Sequence, residues 1–121
     1  SNNIHAMRVG QTVEMCGPFY QFQYRANMKK QIGMISAGTG ITPMLQLLGR
    51  IFDDEEDTTN VTFIHANKST DYIACEAEVI NAQANHPERL ECCYTVEEGD
   101  EDWEGEIGYI TEEMLAEYLP P

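Results

Sequence analysis

The chain has 121 residues, 42% of them hydrophobic and 23% charged, which suits one folded domain with a working core and excludes a disordered chain. Seven Lys and Arg stand against 21 Asp and Glu, a formal net charge of -14, and such a field repels phosphate backbones, so no nucleic acid is expected as a partner. No apolar run approaches the ~20 residues of a membrane-spanning helix, and no signal-peptide pattern is present.

In chain order, Val13 and Met15 alternate with polar neighbours, Gly17-Pro18 breaks the run, and FYQFQY (19–24) alternates again, which predicts two short antiparallel strands. RANMKK (25–30) reads as a connector. From Gln31 the pattern becomes strand, helix, strand, helix, strand. IGMIS (32–36) is a short apolar run, and Gly38 and Gly40 follow it in MISAGTGITPM (34–44). A strand that stops at two glycines and restarts as a helix leaves backbone N–H groups converging on one spot, which suits an anion. Thr42 supplies an N-cap hydroxyl, Pro43 the first helical position, and Met44, Leu45, Leu47, Leu48, Ile51 and Phe52 one apolar face, so a helix is predicted over 43–52.

VTFIHAN (61–67) is a buried strand. Asp71 is placed to cap the next helix, whose Ile73, Ala77, Ile80 and Ala84 recur at helical spacing before Pro87 stops it. LECCYTV (90–96) is a third strand, and Thr111 caps a last helix carrying Met114, Leu115, Tyr118 and Leu119. This alternation predicts an α/β fold with a parallel sheet, whose ligands sit beyond the carboxyl ends of the strands. The acidic runs DDEED (53–57) and EEGDEDWEGE (97–106) read as solvated loops, with Trp103 as a hydrophobic clamp, and His65 as a core histidine. Cys92 and Cys93 are adjacent on a strand and point to opposite faces, so they neither chelate one ion nor close a normal disulfide. Four free, buried thiols in a reducing compartment are expected, and no metal.

The glycine turn alone is neither a full dinucleotide fingerprint nor a phosphate-binding P-loop. The order of motifs along almost the whole chain says more. VGQTVEMCGPF (9–19), GMISAGTGITPMLQ (33–46), FIHANKS (63–69), YTV (94–96) and GYITEEMLAEYLPP (108–121) together resemble the NADH-cytochrome b5 reductase family, within the flavoprotein reductases that include the flavin part of plant nitrate reductase. The resemblance implies a ferredoxin reductase-like nicotinamide-dinucleotide lobe over 31–121, lacking its last strands, preceded by a remnant of an antiparallel FAD-binding barrel over 1–30. It also implies hydride transfer from NADH to FAD and onward transfer of single electrons to a haem protein such as cytochrome b5. Gly38, Thr39 and Gly40 would approach the dinucleotide and the flavin edge, with Thr42 and Pro43 beside them. Ser1 would hold the FAD pyrophosphate; Tyr94, from its place at the carboxyl edge of the third strand, is a lesser candidate for contact with the dinucleotide, its more ordinary reading being structural. The family's acid before Ile, suited to the adenosine ribose of NADH, is here one place early at Asp71, so NADH preference is expected and NADPH is left open.

The flavin-gripping R-x-Y-T motif would lie before Ser1, and the C-G-P-P-P-M motif after Pro121. The chain therefore looks like a middle slice of a reductase, one that alone binds FAD poorly and transfers no hydride at a useful rate. An exposed edge on a three-stranded sheet predicts self-association, and the expected setting is the cytoplasm or the cytoplasmic face of a membrane. The competing reading is a non-catalytic nucleotide-binding or interaction module that has lost the flavin lobe.

Overall fold

The structure, a computed structural model, describes residues 2–17, 19 and 22–119. Strand β1 (Gln31–Ala37) runs into a 3-10 turn at Gly38–Gly40 and then helix α2 (Ile41–Phe52); a short helix, α1 (Asn2–His5), lies upstream. Strand β2 (Asn60–Ser69), a 3-10 turn at Thr70–Tyr72, helix α3 (Glu76–Asn85), strand β3 (Leu90–Glu98), strand β4 (Glu106–Ile107) and helix α4 (Glu112–Tyr118) complete the order. The four strands pair in parallel in the sequence β1-β2-β3-β4. The parallel α/β sheet expected from the alternation is therefore what forms, with one addition: β4 covers the carboxyl end of β3, Thr95 opposite Glu106 and Val96 opposite Ile107.

Side-chain alternation divides the core in two. Met34, Val61, Phe63 and Leu90 face one side, where Ile41, Leu48 and Ile51 of α2 and Val79 of α3 close over them. Ile64 and Cys93 face the other, beneath Met114 of α4. Cys92 packs against the first cluster and Cys93 belongs to the second, so the adjacent thiols are separated by the sheet. Burial pushes the Cys92 thiol up to about 12, and it likewise raises Cys93, so both stay protonated at neutral pH. Of the four thiols expected to be buried only Cys93 is fully so: Cys75 and Cys92 are half-buried, and Cys16 is exposed, in a segment where no strand forms among the described residues.

Four further expectations need correction. Among the described residues of 11–25 no strand forms, because a ladder needs partner strands and none lies alongside; Tyr20 and Gln21 of the expected second strand fall outside the described residues. Helix α2 begins earlier than predicted, capped at Gly40 without a side-chain bond, and the Thr42 hydroxyl donates backwards to the Thr39 carbonyl at 3.4 Å. Asp71 caps no helix: it sits in the 3-10 turn, and α3 starts after Cys75, which is held at φ +54. Starting later, α3 buries Val79 and leaves Ile80 54% exposed, so the stripe through Ile80 is the wrong one. Thr111 does cap α4, its Oγ1 accepting from the Met114 amide at 3.2 Å.

The connector ahead of β1 is bolted to the loop before β2. Tyr24 donates its phenol to Asp57 and is 2.9 Å from the Thr59 hydroxyl. Asn27, at φ +58, donates Nδ2 to the Glu56 carbonyl at 2.8 Å and accepts from the Thr58 amide at 2.9 Å. Asparagine tolerates this left-handed conformation better than most residues because its side chain bonds locally.

Candidate functional site

The carboxyl ends of the strands carry a cleft of about 580 Å³, a volume suited to a small organic ligand. Ala37 and Gly38 line it from the end of β1, Ala66 and Lys68 from β2, and Glu97 from β3. Ala37, Ala66 and Glu97 share one face by alternation and register, the α4 side of the sheet, with Lys68 on the same parity. Tyr72 and Tyr109 stand at the rim, 72% and 74% exposed. The position of β4 is fixed by the Gly108 amide donating to the Val96 carbonyl and the Thr95 hydroxyl donating to the Gly108 carbonyl, both at 2.7 Å.

The two glycines of the turn differ in their reasons. Gly38 lies at φ +48, where a side chain is strained, and a Cβ there would meet nothing within 4 Å. Gly40 has the helical φ of -64, and a Cβ there would also meet nothing within 4 Å. The chain's own packing therefore gives no reason for glycine at position 40. What it leaves is an open backbone surface at the start of a twelve-residue helix, where amide groups and the helix dipole favour an anion.

The residues anticipated from the sequence are placed unequally. Gly38 lines the cleft and continues directly through Thr39 and Gly40 into α2, with Thr42 and Pro43 in its first turn. Asp71 is exposed and does not line the cleft; the carboxylate that does is Glu97, whose Oε2 accepts from the Tyr109 phenol at 3.1 Å. That bond raises the Tyr109 pKa. Ser1 lies outside the described residues. Tyr94 turns away from the cleft toward the α2 side, edge-on to His65 with ring centroids 6.1 Å apart. His65 is buried, bonded through Nδ1 to the Ser36 hydroxyl at 2.7 Å, and burial lowers its pKa despite backbone hydrogen bonds at Ala74 and Ser36. A neutral core histidine is what those facts describe.

Lys68, Glu97 and Tyr109 are the cleft residues that sequence reasoning missed. Lys68 and Tyr109 each had a signal, lying inside the FIHANKS (63–69) and GYITEEMLAEYLPP (108–121) motifs, whereas Glu97 falls in the acidic run and had none.

A sequence model described as the oxidoreductase NAD-binding domain matches residues 34–121, from the middle of β1 to the end of the chain. The chain belongs to that family. It is 41% identical over 120 residues to an NADH-cytochrome b5 reductase-like protein of Arabidopsis thaliana, an alignment covering 99% of this chain and 36% of the relative. It is 37% identical over 120 residues to NADH-cytochrome b5 reductase 1 of Candida albicans, covering 99% of this chain and 41% of that protein. The fold superimposes on the cytochrome b5 reductase domain of Ulva prolifera nitrate reductase with a TM-score of 0.91 at 31% identity, over 98% of this chain and 49% of the other. The likeness carried by the motifs is thus borne out along nearly the whole chain. The chain spans 36% and 41% of the length of the two reductases named, and their remaining length has no counterpart in it.

Proposed function

We propose that this chain is the dinucleotide-binding part of an NADH-dependent flavoprotein reductase, the protein that passes a hydride from NADH to FAD and then single electrons to a haem acceptor such as cytochrome b5. The observation that carries this reading is Gly40: a glycine that neither backbone conformation nor internal packing requires, at the carboxyl edge of a parallel sheet in a member of the NAD-binding family. Bound NADH supplies the hydride and FAD the means of splitting it into single electrons.

The chain's residues hold and orient the dinucleotide. Gly38, Thr39 and Gly40 let a pyrophosphate or the nicotinamide approach the backbone, and the first turn of α2, with Thr42 and Pro43, presents its positive end. Glu97 is the carboxylate within the cleft and accepts from the vicinal hydroxyls of the adenosine ribose; the same charge repels an added phosphate there, which favours NADH over NADPH. In this reading Glu97 takes the part anticipated for Asp71, and residues 1–30 belong with the flavin lobe.

Titration of the purified chain with NADH and NADPH, followed by nicotinamide fluorescence, tests the proposal. NADH binding that is lost in Gly40→Val, with the fold intact by circular dichroism, supports it. Absence of NADH binding by the wild-type chain, or equal binding by Gly40→Val, overturns it.

A further inference from the structure

A chain of net charge -14 must bring an anionic dinucleotide to its surface against its own field, so the placing of its few cations matters. Five of the seven stand toward the amino ends of the strands or upstream. Arg8, Arg25, Lys29 and Lys30 precede β1. Arg89 precedes β3, donates to the Thr59 carbonyl at 3.0 Å and lies 5.0 Å from the centroid of the Phe52 ring. Arg50 is in the last turn of α2. None of these six lines the cleft; Lys68 alone among the Lys and Arg residues does.

The register places Lys68 further. Ala66 pairs with Ala37, so Lys68 lies just past the end of β1, alongside the Gly38–Gly40 turn. Asn67 pairs with Val96 and Ser69 with Glu98, which sets Lys68 level with Glu97 on the neighbouring strand. The cleft therefore holds one ammonium next to the open glycine turn and one carboxylate on the far strand, the latter bonded to Tyr109. A dinucleotide carries two kinds of group that want opposite charges: the pyrophosphate wants a cation, the ribose diol an acceptor.

We infer that Lys68 receives the pyrophosphate of the dinucleotide and is the cleft's source of positive charge, an assignment that rests on reading the glycine-turn edge as the dinucleotide site. The ordinary alternative is a cross-strand pair in which Lys68 does no more than offset Glu97. The two make different demands. A structural pair changes stability when broken, whereas a phosphate ligand changes the affinity for phosphorylated ligands and its dependence on salt.

The test uses the whole chain, with ADP-ribose and adenosine as probes, by isothermal titration at low and high ionic strength. Lys68→Gln is expected to weaken ADP-ribose about tenfold at low salt, the size of one charge-assisted hydrogen bond. The difference should shrink at ~1 M salt, where the screening length falls to about 3 Å. Adenosine affinity should not move, and Lys68→Arg should restore most of the loss. Because Lys68 is exposed, the variant is expected to fold with an unchanged melting temperature. Equal ADP-ribose affinity in wild type and Lys68→Gln at low salt overturns the assignment while leaving the dinucleotide site standing. A lower melting temperature with unchanged ADP-ribose affinity overturns it in favour of the cross-strand pair. Failure of the wild-type chain to bind ADP-ribose at all overturns the dinucleotide reading, and the assignment with it.

Discussion

Tyr24 donates its phenol to Asp57 Oδ2 at 2.5 Å across 33 positions of sequence, and that bond joins the connector to the loop that launches β2. Asp57 is 1% exposed and also accepts from the Thr59 amide at 2.9 Å and the Asn27 amide at 3.3 Å. A buried carboxylate deprived of a donor is costly, because its own desolvation is then uncompensated. Tyr24→Phe keeps the ring and removes the donor, so it is expected to destabilise the fold by about 1–3 kcal/mol. Urea unfolding checks this; an unchanged midpoint would show that water replaces the phenol without loss.

The same carboxylate makes acid stability specific. Burial by itself raises the pKa of Asp57, and the bonds from Tyr24, Thr59 and Asn27 outweigh it, leaving the group at about 2 against an ordinary 3.8. The folded-state value is depressed, so the contribution is fully present above pH 3.8 and is lost as pH falls through about 2. Its size is on the order of 2 kcal/mol. Asp57→Asn should lower stability at pH 7 and flatten the pH dependence between pH 4 and pH 2, roughly the interval where the wild-type carboxylate takes up its proton. Parallel urea titrations of both proteins across that interval decide the matter.

The glycine turn separates stability from binding. Gly38→Ala forces a side chain to φ +48 and should cost about 1 kcal/mol of stability. Gly40→Ala enters a helical conformation with open space around the new methyl, so stability should hold or rise by some tenths of a kcal/mol. Affinity for NADH should nonetheless fall in Gly40→Ala, since the methyl occupies the surface offered to the ligand. Melting curves and NADH titrations on the two variants give four numbers; retention of full affinity by Gly40→Ala would mean that the ligand does not approach there.

What was legible in the sequence follows from how local each signal is. The strands through Met34, Phe63 and Cys92 declare themselves by short apolar runs, and Thr111 by a hydroxyl three residues before the amide that it caps. The phase of α3 was not legible, because Ile80 outweighs Val79 in hydrophobicity while the start of the helix at Glu76 decides which of them meets the sheet. Strand β4 is two residues inside an acidic stretch, and only its pairing with Thr95 and Val96 defines it. The cleft was half legible. Its Ala37-Gly38 wall belongs to one contiguous motif, whereas Lys68, Glu97 and Tyr109 come together only through the register of β2 on β3 and the return of the chain along β4.

The outer edge of β1 bears on self-association. Among the described residues no strand pairs with β1 on the side away from β2, and Ile35 on that strand is 43% exposed. A row of unpaired amides and carbonyls beside exposed apolar side chains is a template for another copy, and the net charge of -14 opposes the approach of two copies at low salt. Association is therefore expected to strengthen with added salt, the reverse of an ion-paired dimer. Light scattering across a salt series measures it directly. Replacing Ile35 by Lys puts a charge on the edge and should return the chain to a monomer. A monomer at every salt concentration would show that the edge is protected by its own backbone geometry rather than by charge.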